Sequence, residues 1–273
     1  MKVGLQLYSI REEMENDMDA ALKAVKEMGY DYVEFAGYFG KTAEEVAALL
    51  EKHQLKCRSV HQGYSVFLDA PEENVQFLKK IGAECCAIPW MDPSMQKGQP
   101  GFEQAVKDIA KVSALLKENG IQLLYHNHDF EFKTFEGKYV LDWLYETLTL
   151  DALKPEIDTC WVNYAGCDPC EYITKYSGQI KFVHLKDYVG APPANGAVYA
   201  LIDDTGKENK TETAESTFEF CPVGQGVMDF PAILAAAEKA GAEYVIVEQD
   251  QATTASPLES AAQSRAYLRS LGL

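Results

Sequence analysis

Four segments with one plan recur along the chain: KEMG-YDYVEF at 26–35, KKIG-AECCAIP at 79–89, KENG-IQLLYH at 117–126 and EKAG-AEYVIVE at 238–248. A fifth and looser copy is KYSG-QIKFVHL at 175–185. In each copy an amphipathic segment ends at a glycine, the residue that most readily adopts the left-handed conformation that closes a helix. A β-rich apolar run follows each glycine. The repeat therefore predicts a chain of alternating helices and strands.

The same pattern, followed through all 273 residues, predicts eight strand–helix units. Strands are expected near 2–8, 31–36, 56–61, 84–89, 121–126, 155–159, 180–185 and 244–248. Helices are expected near 17–28, 42–53, 72–81, 102–119, 140–148, 168–177, 229–240 and 256–271.

The strands are continuous apolar runs, as is typical of parallel sheets covered on both faces. We predict the α/β class and one (β/α)8 TIM-barrel domain over residues 1–273, a length that suits a barrel of about 250 residues. An open, doubly wound sheet is the alternative.

One connection is much longer than the others. Residues 187–228 lie between the seventh strand and its helix and are rich in Asp, Glu, Thr, Gly and Pro. Long connections in compact domains are usually functional or disordered. We predict a loop insertion that covers the mouth of the barrel as a mobile lid.

The amino-acid composition argues against several classes of function. Hydrophobic residues make up 47% of the chain, but no run approaches the roughly 18 apolar residues of a membrane span. The start, MKVGLQLYS, resembles a strand and not a signal peptide, so a cytoplasmic protein without membrane contact is expected. The net charge of −17 argues against a nucleic-acid partner. The seven cysteines contain one C-x-x-C, at 167–170, and are expected to be reduced thiols.

Ionisable residues gather where the predicted strands end. The chain has five histidines; His53 ends a helix, and the other four follow strands. The strand-end set is His61, His126, His128 and His184, together with Glu34, Asp158 and Glu248. Carboxylates crowded at one barrel mouth repel one another unless a cation or a substrate lies among them. We therefore predict one bound divalent metal ion, Mn²⁺ first, with Mg²⁺, Co²⁺, Zn²⁺ or Fe²⁺ as alternatives.

Seven motifs in this order resemble a known family: LQLYS, SVHQGY, YHNHDFEF, IDTCWVNYAGCDP, FVHLKD, PVGQGVMDF and VEQD. They are similar to the xylose-isomerase-like superfamily of sugar phosphate isomerases and epimerases. That superfamily also contains inosose dehydratases and, more distantly, the endonuclease IV type of DNA-repair enzyme. The resemblance spans essentially the whole chain.

The resemblance implies a metal site. Relatives hold one divalent metal with Glu, Asp, His and Glu from strands 5 to 8, and Asp158, His184 and Glu248 match three of these positions. At the fourth, a Glu-Asn pair is replaced by His126-Asn127, so the ligand is either His126 or Glu131. We favour His126, because it stands at the strand end. This exchange removes one of the two carboxylates that epimerases of the group use as acid and base.

Roles for the remaining residues follow from position and resemblance. Lys186 is expected to neutralise a substrate oxyanion, while Glu248 and His128 are expected to transfer protons. His128 has an ordinary pKa near neutrality and could protonate a leaving oxygen. Substrate contacts are expected from Gln6, Glu34, His61, Trp90 and Glu131.

These roles predict an isomerase or epimerase that acts on a keto-sugar through a metal-stabilised enediolate. Loss of a β-oxygen would instead make the protein a dehydratase or lyase. A DNA endonuclease would need further metal ligands and a basic groove, and a non-catalytic sugar-binding barrel would not need the metal ligands. The expected partner is a small sugar, and an assembly with the same or another chain is left open.

Overall fold

The structure is a computed structural model that describes residues 1–191 and 217–273. Within these residues, eight parallel strands close into a barrel, and strands that are consecutive in the chain are neighbours in space. The barrel strands, labelled in chain order, are β1 Lys2–Gln6, β2 Tyr32–Phe35, β3 Lys56–His61, β4 Cys85–Ile88, β5 Gln122–His126, β6 Lys154–Asp158, β7 Phe182–Leu185 and β8 Tyr244–Val247. The predicted (β/α)8 barrel is confirmed. Because β1 pairs with β8, an open doubly wound sheet is excluded.

Ten α-helices of the described residues surround the barrel. They are α1 Arg11–Met28, α2 Ala43–Lys52, α3 Tyr64–Asp69, α4 Pro71–Ile81, α5 Phe102–Glu118, α6 Val140–Leu148, α7 Thr159–Tyr164, α8 Pro169–Lys175, α9 Phe230–Ala240 and α10 Pro257–Ser270. Short 3-10 helices cover Leu7–Ile10, Pro93–Met95 and Phe130–Phe132. The glycines of the repeat all adopt the left-handed conformation, with φ of 77° to 90° at Gly29, Gly82, Gly120, Gly178 and Gly241.

The helix prediction differs from the structure at three places. Helix α1 begins at Arg11, not at residue 17, and its regular geometry is interrupted at Asp17, with φ −155° and ψ 91°. The Asp17 carboxylate accepts a hydrogen bond of 3.0 Å from the amide of Ala20, so the predicted start marks where the helix resumes. Helices α3 and α7 were not predicted, since six residues are too few to display a helical period.

The interior of the barrel is apolar at one end and polar at the other. A cluster of buried side chains from the strands fills the amino-terminal half: Cys85, Ala87, Leu124, Phe182, Tyr244 and Ile246. Side chains two residues apart on a strand share a face. The next inward positions after Leu124, Phe182 and Ile246 are therefore His126, His184 and Glu248. The alternation of the strands thus places the ionisable residues directly above the apolar layer.

The long connection leaves the carboxyl end of β7 as an antiparallel pair of short strands, Asp187–Val189 and Glu219–Cys221. The buried Asp187 carboxylate accepts hydrogen bonds from the backbone amides of Tyr188, Gly224, Gly226 and Met228. This carboxylate holds the base of the insertion together. Residues 192–216 of the predicted lid lie outside the described residues.

All seven cysteines are free thiols, and five of them are buried. In the described ranges, 1–191 and 217–273, no helix is long and apolar enough to cross a membrane.

Candidate metal centre

Four side chains of mixed type converge where β5, β6, β7 and β8 end. They are His126, Asp158, His184 and Glu248, and their potential ligand atoms all lie within 4.8 Å of one another. His184 Nδ1 is 2.9 Å from Glu248 Oε2. His126 Nε2 is 3.7 Å from Asp158 Oδ2 and 3.9 Å from Glu248 Oε2. We call these four residues the upper group.

The strand register and the adjacent loops position the upper group. Asp158 lies opposite His184 across the β6–β7 pairing. The Asn127 side chain accepts a hydrogen bond from the Asp158 amide at 3.0 Å and donates one to the Asp158 carbonyl at 3.2 Å. Asp158 also caps α7, because its Oδ1 accepts the Trp161 amide at 3.0 Å. Asn127, 31 residues away in sequence, therefore fixes the Asp158 backbone, and the helix cap fixes its carboxylate.

The donor set of the upper group fits a divalent metal ion. Two imidazoles and two carboxylates are the ligands that suit Mn²⁺, Fe²⁺, Co²⁺ or Zn²⁺. Asp158 Oδ2 is buried and makes no hydrogen bond within the part of the chain that the structure describes, and its neighbouring cation Lys186, at 3.3 Å, also faces Glu248 and Asp250. One ammonium group does not balance three buried carboxylates, so a further cation is favoured beside them. The group contains His126 and not Glu131, the alternative fourth ligand.

A second layer of ionisable residues lies deeper, below the upper group. His61 Nε2 is 2.8 Å from Glu156 Oε2 and 3.1 Å from Glu34 Oε2. Glu156 was not among the predicted site residues, although it stands two residues before Asp158 and so shares its face of β6. Burial alone would raise the pKa of Glu34, but the His61 and His184 rings hold that pKa well below its usual value. Burial, together with Glu34, raises the pKa of Glu156 to about 7.

Lys186 supplies a buried positive charge beside the upper group. Its Nζ is 3.3 Å from both Asp158 Oδ2 and Glu248 Oε2, and 2.9 Å from Asp250 Oδ1. Burial opposes this charge, but the three carboxylates hold the pKa of Lys186 well above its usual value. In turn, Lys186 and then His184 hold the pKa of Glu248 below its usual range, against the effect of burial. Asp250 was not predicted; it follows Glu248 at the same two-residue spacing.

His128 lies beside the upper group at the mouth of the barrel. Its ring stacks on Phe130 with centroids 5.4 Å apart and meets the edge of Trp90 at 5.2 Å. The rings of His128 and His126 are 5.3 Å apart. Burial, followed by the charge of Lys186, lowers the pKa of His128 to about 3. The expectation of a pKa near neutrality is therefore wrong, because burial and a neighbouring cation both disfavour the imidazolium.

The predicted substrate-binding residues have different environments. Trp90 is 41% exposed and lines the mouth. Gln6 and Glu34 are fully buried, and Gln6 Nε2 donates to Glu34 Oε2 at 2.9 Å. Glu131 accepts hydrogen bonds from the Tyr125 hydroxyl at 2.6 Å and from the His128 amide at 2.8 Å. Successive side chains of β5 point to opposite faces, so Tyr125 points away from the barrel interior that His126 faces. Its hydrogen-bond partner Glu131 lies on that outer side.

Comparison with known proteins identifies the family of the chain. The model of the xylose isomerase-like TIM barrel family matches residues 22–271. An inosose dehydratase of Clostridium perfringens is 23% identical over 93% of this chain and 90% of its own length.

Among solved structures, a sugar phosphate isomerase/epimerase of Parabacteroides distasonis superimposes with a TM-score of 0.77 and 20% identity, covering 98% of this chain and 93% of the other. An IOLI protein with a bound zinc atom superimposes with a TM-score of 0.70 and 14% identity, covering 99% of this chain and 98% of the other. The chain belongs to the xylose isomerase-like TIM barrel family.

Proposed function

We propose that the chain is a divalent-metal-dependent enzyme that acts on a keto-sugar by removing a proton from the carbon beside its carbonyl group. The observation that carries this proposal is the upper group of two imidazoles and two carboxylates, with the neutral ring of His128 beside it. A sugar-binding barrel without activity would have no need for these ligands. The named activity of the dehydratase relative supports an enzyme.

His126, Asp158, His184 and Glu248 would hold the metal, and Mn²⁺ is the ion we propose first. When bound, such a cation polarises a carbonyl and makes the neighbouring C–H bond more acidic. A zinc-containing structural neighbour supports a metal in this fold without deciding its identity.

Position and protonation assign different tasks to Glu248 and His128. Glu248 belongs to the upper group, so its carboxylate would be engaged by the metal and would not be available as a base. His128 enters the reaction as a neutral imidazole, because its pKa is lowered to about 3. A neutral imidazole can accept a proton from carbon. His128 is therefore the proposed base, and Lys186 would stabilise the negative charge that develops on the substrate oxygen.

The proposed proton-transfer group is a single histidine, His128, and not a pair of carboxylates. This favours elimination over the symmetric proton transfer of an epimerase. An epimerase needs a proton acceptor on one face of the carbon and a proton donor on the other. Here His126 replaces one carboxylate, and His128 can return the proton that it has accepted. In a dehydration, that proton goes to the departing β-hydroxyl, the C–O electron pair leaves with the oxygen, and a C=C bond and water form. We therefore place dehydratase or lyase activity ahead of isomerase or epimerase activity.

The test uses purified, Mn²⁺-loaded protein with a panel of keto-sugars in D₂O. Elimination yields a product that has lost one water and absorbs in the ultraviolet as an unsaturated ketone. Isomerisation or epimerisation yields a product that keeps every oxygen and carries deuterium at carbon. If no member of the panel exchanged a C–H proton, with or without metal, the proposed proton abstraction would be refuted.

A further inference from the structure

Two groups of potential metal ligands overlap inside the barrel. The upper group is His126, Asp158, His184 and Glu248. A lower group consists of His61, His126, Glu156 and His184, again with all ligand atoms within 4.8 Å of one another. The two groups share His126 and His184. Their geometry alone is compatible either with two cations or with one cation and a supporting layer.

Each shared ring presents one nitrogen to each group. His184 Nδ1 is 2.9 Å from Glu248 Oε2 above, and its Nε2 is 2.8 Å from Glu34 Oε2 below. His126 Nε2 is directed towards Asp158 and Glu248, while its Nδ1 is 3.6 Å from Glu156 Oε2. The Nε2 of His184 also lies 3.5 Å from Glu156 Oε2.

A neutral imidazole has one lone pair for a metal, and its other nitrogen carries a hydrogen. If His126 and His184 bind a cation in the upper group, their N–H groups therefore point into the lower group. An N–H directed at a second cation would repel it. An N–H directed at a carboxylate is favourable, fixes the tautomer and makes the ring a better ligand.

We propose that Glu34 and Glu156 are positioning residues that accept the Nε2–H of His184 and the Nδ1–H of His126, so that both rings serve a single cation in the upper group. In this arrangement the lower group is not a second metal site. Both nitrogens are buried and neither makes a hydrogen bond among residues 1–191 and 217–273, so no described acceptor competes with these two carboxylates for its hydrogen.

The two carboxylates are themselves held in place by neighbouring side chains. His61 Nε2 bridges them, with a hydrogen bond to Glu156 at 2.8 Å and a contact to Glu34 at 3.1 Å. Gln6 Nε2 donates to the same Glu34 oxygen at 2.9 Å. Gln6 and His61 thus fix the positions of Glu34 and Glu156, and these two carboxylates in turn orient the rings of His126 and His184. This accounts for the full burial of Gln6 and Glu34, which direct substrate contact would not require.

The inference rests on the proposed metal centre and is tested by metal binding, without an activity assay. Wild-type protein, Glu156→Gln and Glu34→Gln are stripped of metal and titrated with Mn²⁺, and bound metal is counted by mass spectrometry. Asp142→Asn is the matched control, because Asp142 is a buried carboxylate bonded to Tyr172 and Lys175 outside the barrel interior.

We expect one Mn²⁺ per wild-type chain. Loss of a second-layer carboxylate typically weakens binding about 10- to 100-fold, so both glutamine variants should bind one ion with that loss. The Asp142→Asn control should bind like the wild type. If the wild type bound two ions and Glu156→Gln lost one of them, the lower group would be a metal site and the inference would be overturned. Wild-type affinity in both variants would overturn it as well.

A second measurement needs no variant. In the Zn²⁺-loaded wild type, long-range ¹H–¹⁵N spectra report which ring nitrogen carries hydrogen. We expect hydrogen on Nε2 of His184 and on Nδ1 of His126, and the opposite tautomers would refute the assignment even if the variants failed to fold. A wild-type chain that bound no divalent ion would instead refute the proposed function itself, and this outcome is distinct from the others.

Discussion

Replacement of His128 separates proton transfer from metal binding. His128 is not a member of the upper group, although its ring lies only 5.3 Å from that of His126. We therefore expect His128→Ala to keep its metal and to lose most turnover. His126→Ala removes one of the four upper-group ligands, so metal content and turnover should fall together.

The expected size of the effect follows from the role. General acid–base catalysis contributes roughly 10²–10⁴-fold, or about 2.7–5.4 kcal/mol of barrier at about 1.36 kcal/mol per tenfold. The His128 ring also packs on Phe130 and Trp90, so truncation to alanine removes packing as well. His128→Phe keeps an aromatic ring in that place but cannot carry a proton. Both variants should lose turnover within the same range.

The assay combines turnover of the substrate identified in the panel with metal counting and thermal unfolding. His53→Ala is the control for loss of a histidine, since His53 lies at the end of α2, where its largely buried side chain contacts Asp19. It should leave metal content and turnover unchanged. Full activity in His128→Phe would refute the proton-transfer role, and loss of metal in His128→Ala would show that the two histidines act as one unit.

Three further predictions concern stability. Removing divalent ions with a chelator should lower the thermal midpoint and Mn²⁺ should restore it, because a ligand at one hundred times its Kd adds about 2.7 kcal/mol; an unchanged midpoint would contradict a native metal site. Gly226→Ala should cost about 1–3 kcal/mol in denaturant unfolding, since its Cβ would lie 2.2 Å from Asp187 Oδ1; wild-type stability in this variant would show that the residues around Asp187 move to accommodate the added methyl group. Burial opposes ionisation of Asp142, but Lys175 and two tyrosine hydroxyls hold its pKa below 3.8. The ionised carboxylate therefore stabilises the fold above that pH. This stabilisation is lost as the pH falls through the lowered pKa. Asp142→Asn should therefore cost about 1–3 kcal/mol at pH 7 and progressively less as the pH falls through the lowered pKa of Asp142, whereas a loss independent of pH would contradict the charge-based account.

The fold could be predicted from local signals. A glycine-closed helix followed by a buried strand is determined within about ten residues, and the five repeat glycines adopt the expected backbone conformation. The period of two along a strand then decides which residues face the barrel interior. Because the carboxyl ends of parallel strands meet at one end of a barrel, the sequence alone predicts that Asp158, His184 and Glu248 lie together.

The short helices and the deeper layer of ionisable residues could not be predicted from such local signals. Helices α3 and α7 have six residues each, too few to repeat a period. Glu156 shares the face of Asp158, yet its neighbour His61 is 95 residues away, so only barrel closure shows that the two side chains meet. The β3 and β6 strands that carry them pair with other strands and not with each other.

Protonation and ring orientation were decided by the tertiary structure alone. The sequence determined that a histidine stands at 128 and another at 126, but not that burial and Lys186 lower the pKa of the first to about 3. Nor could the sequence determine that the rings of His126 and His184 each direct one nitrogen to the upper group and the other to the lower group. Both properties depend on the desolvation and charge contributed by strands far apart in the chain, which act on these rings only after the barrel has closed.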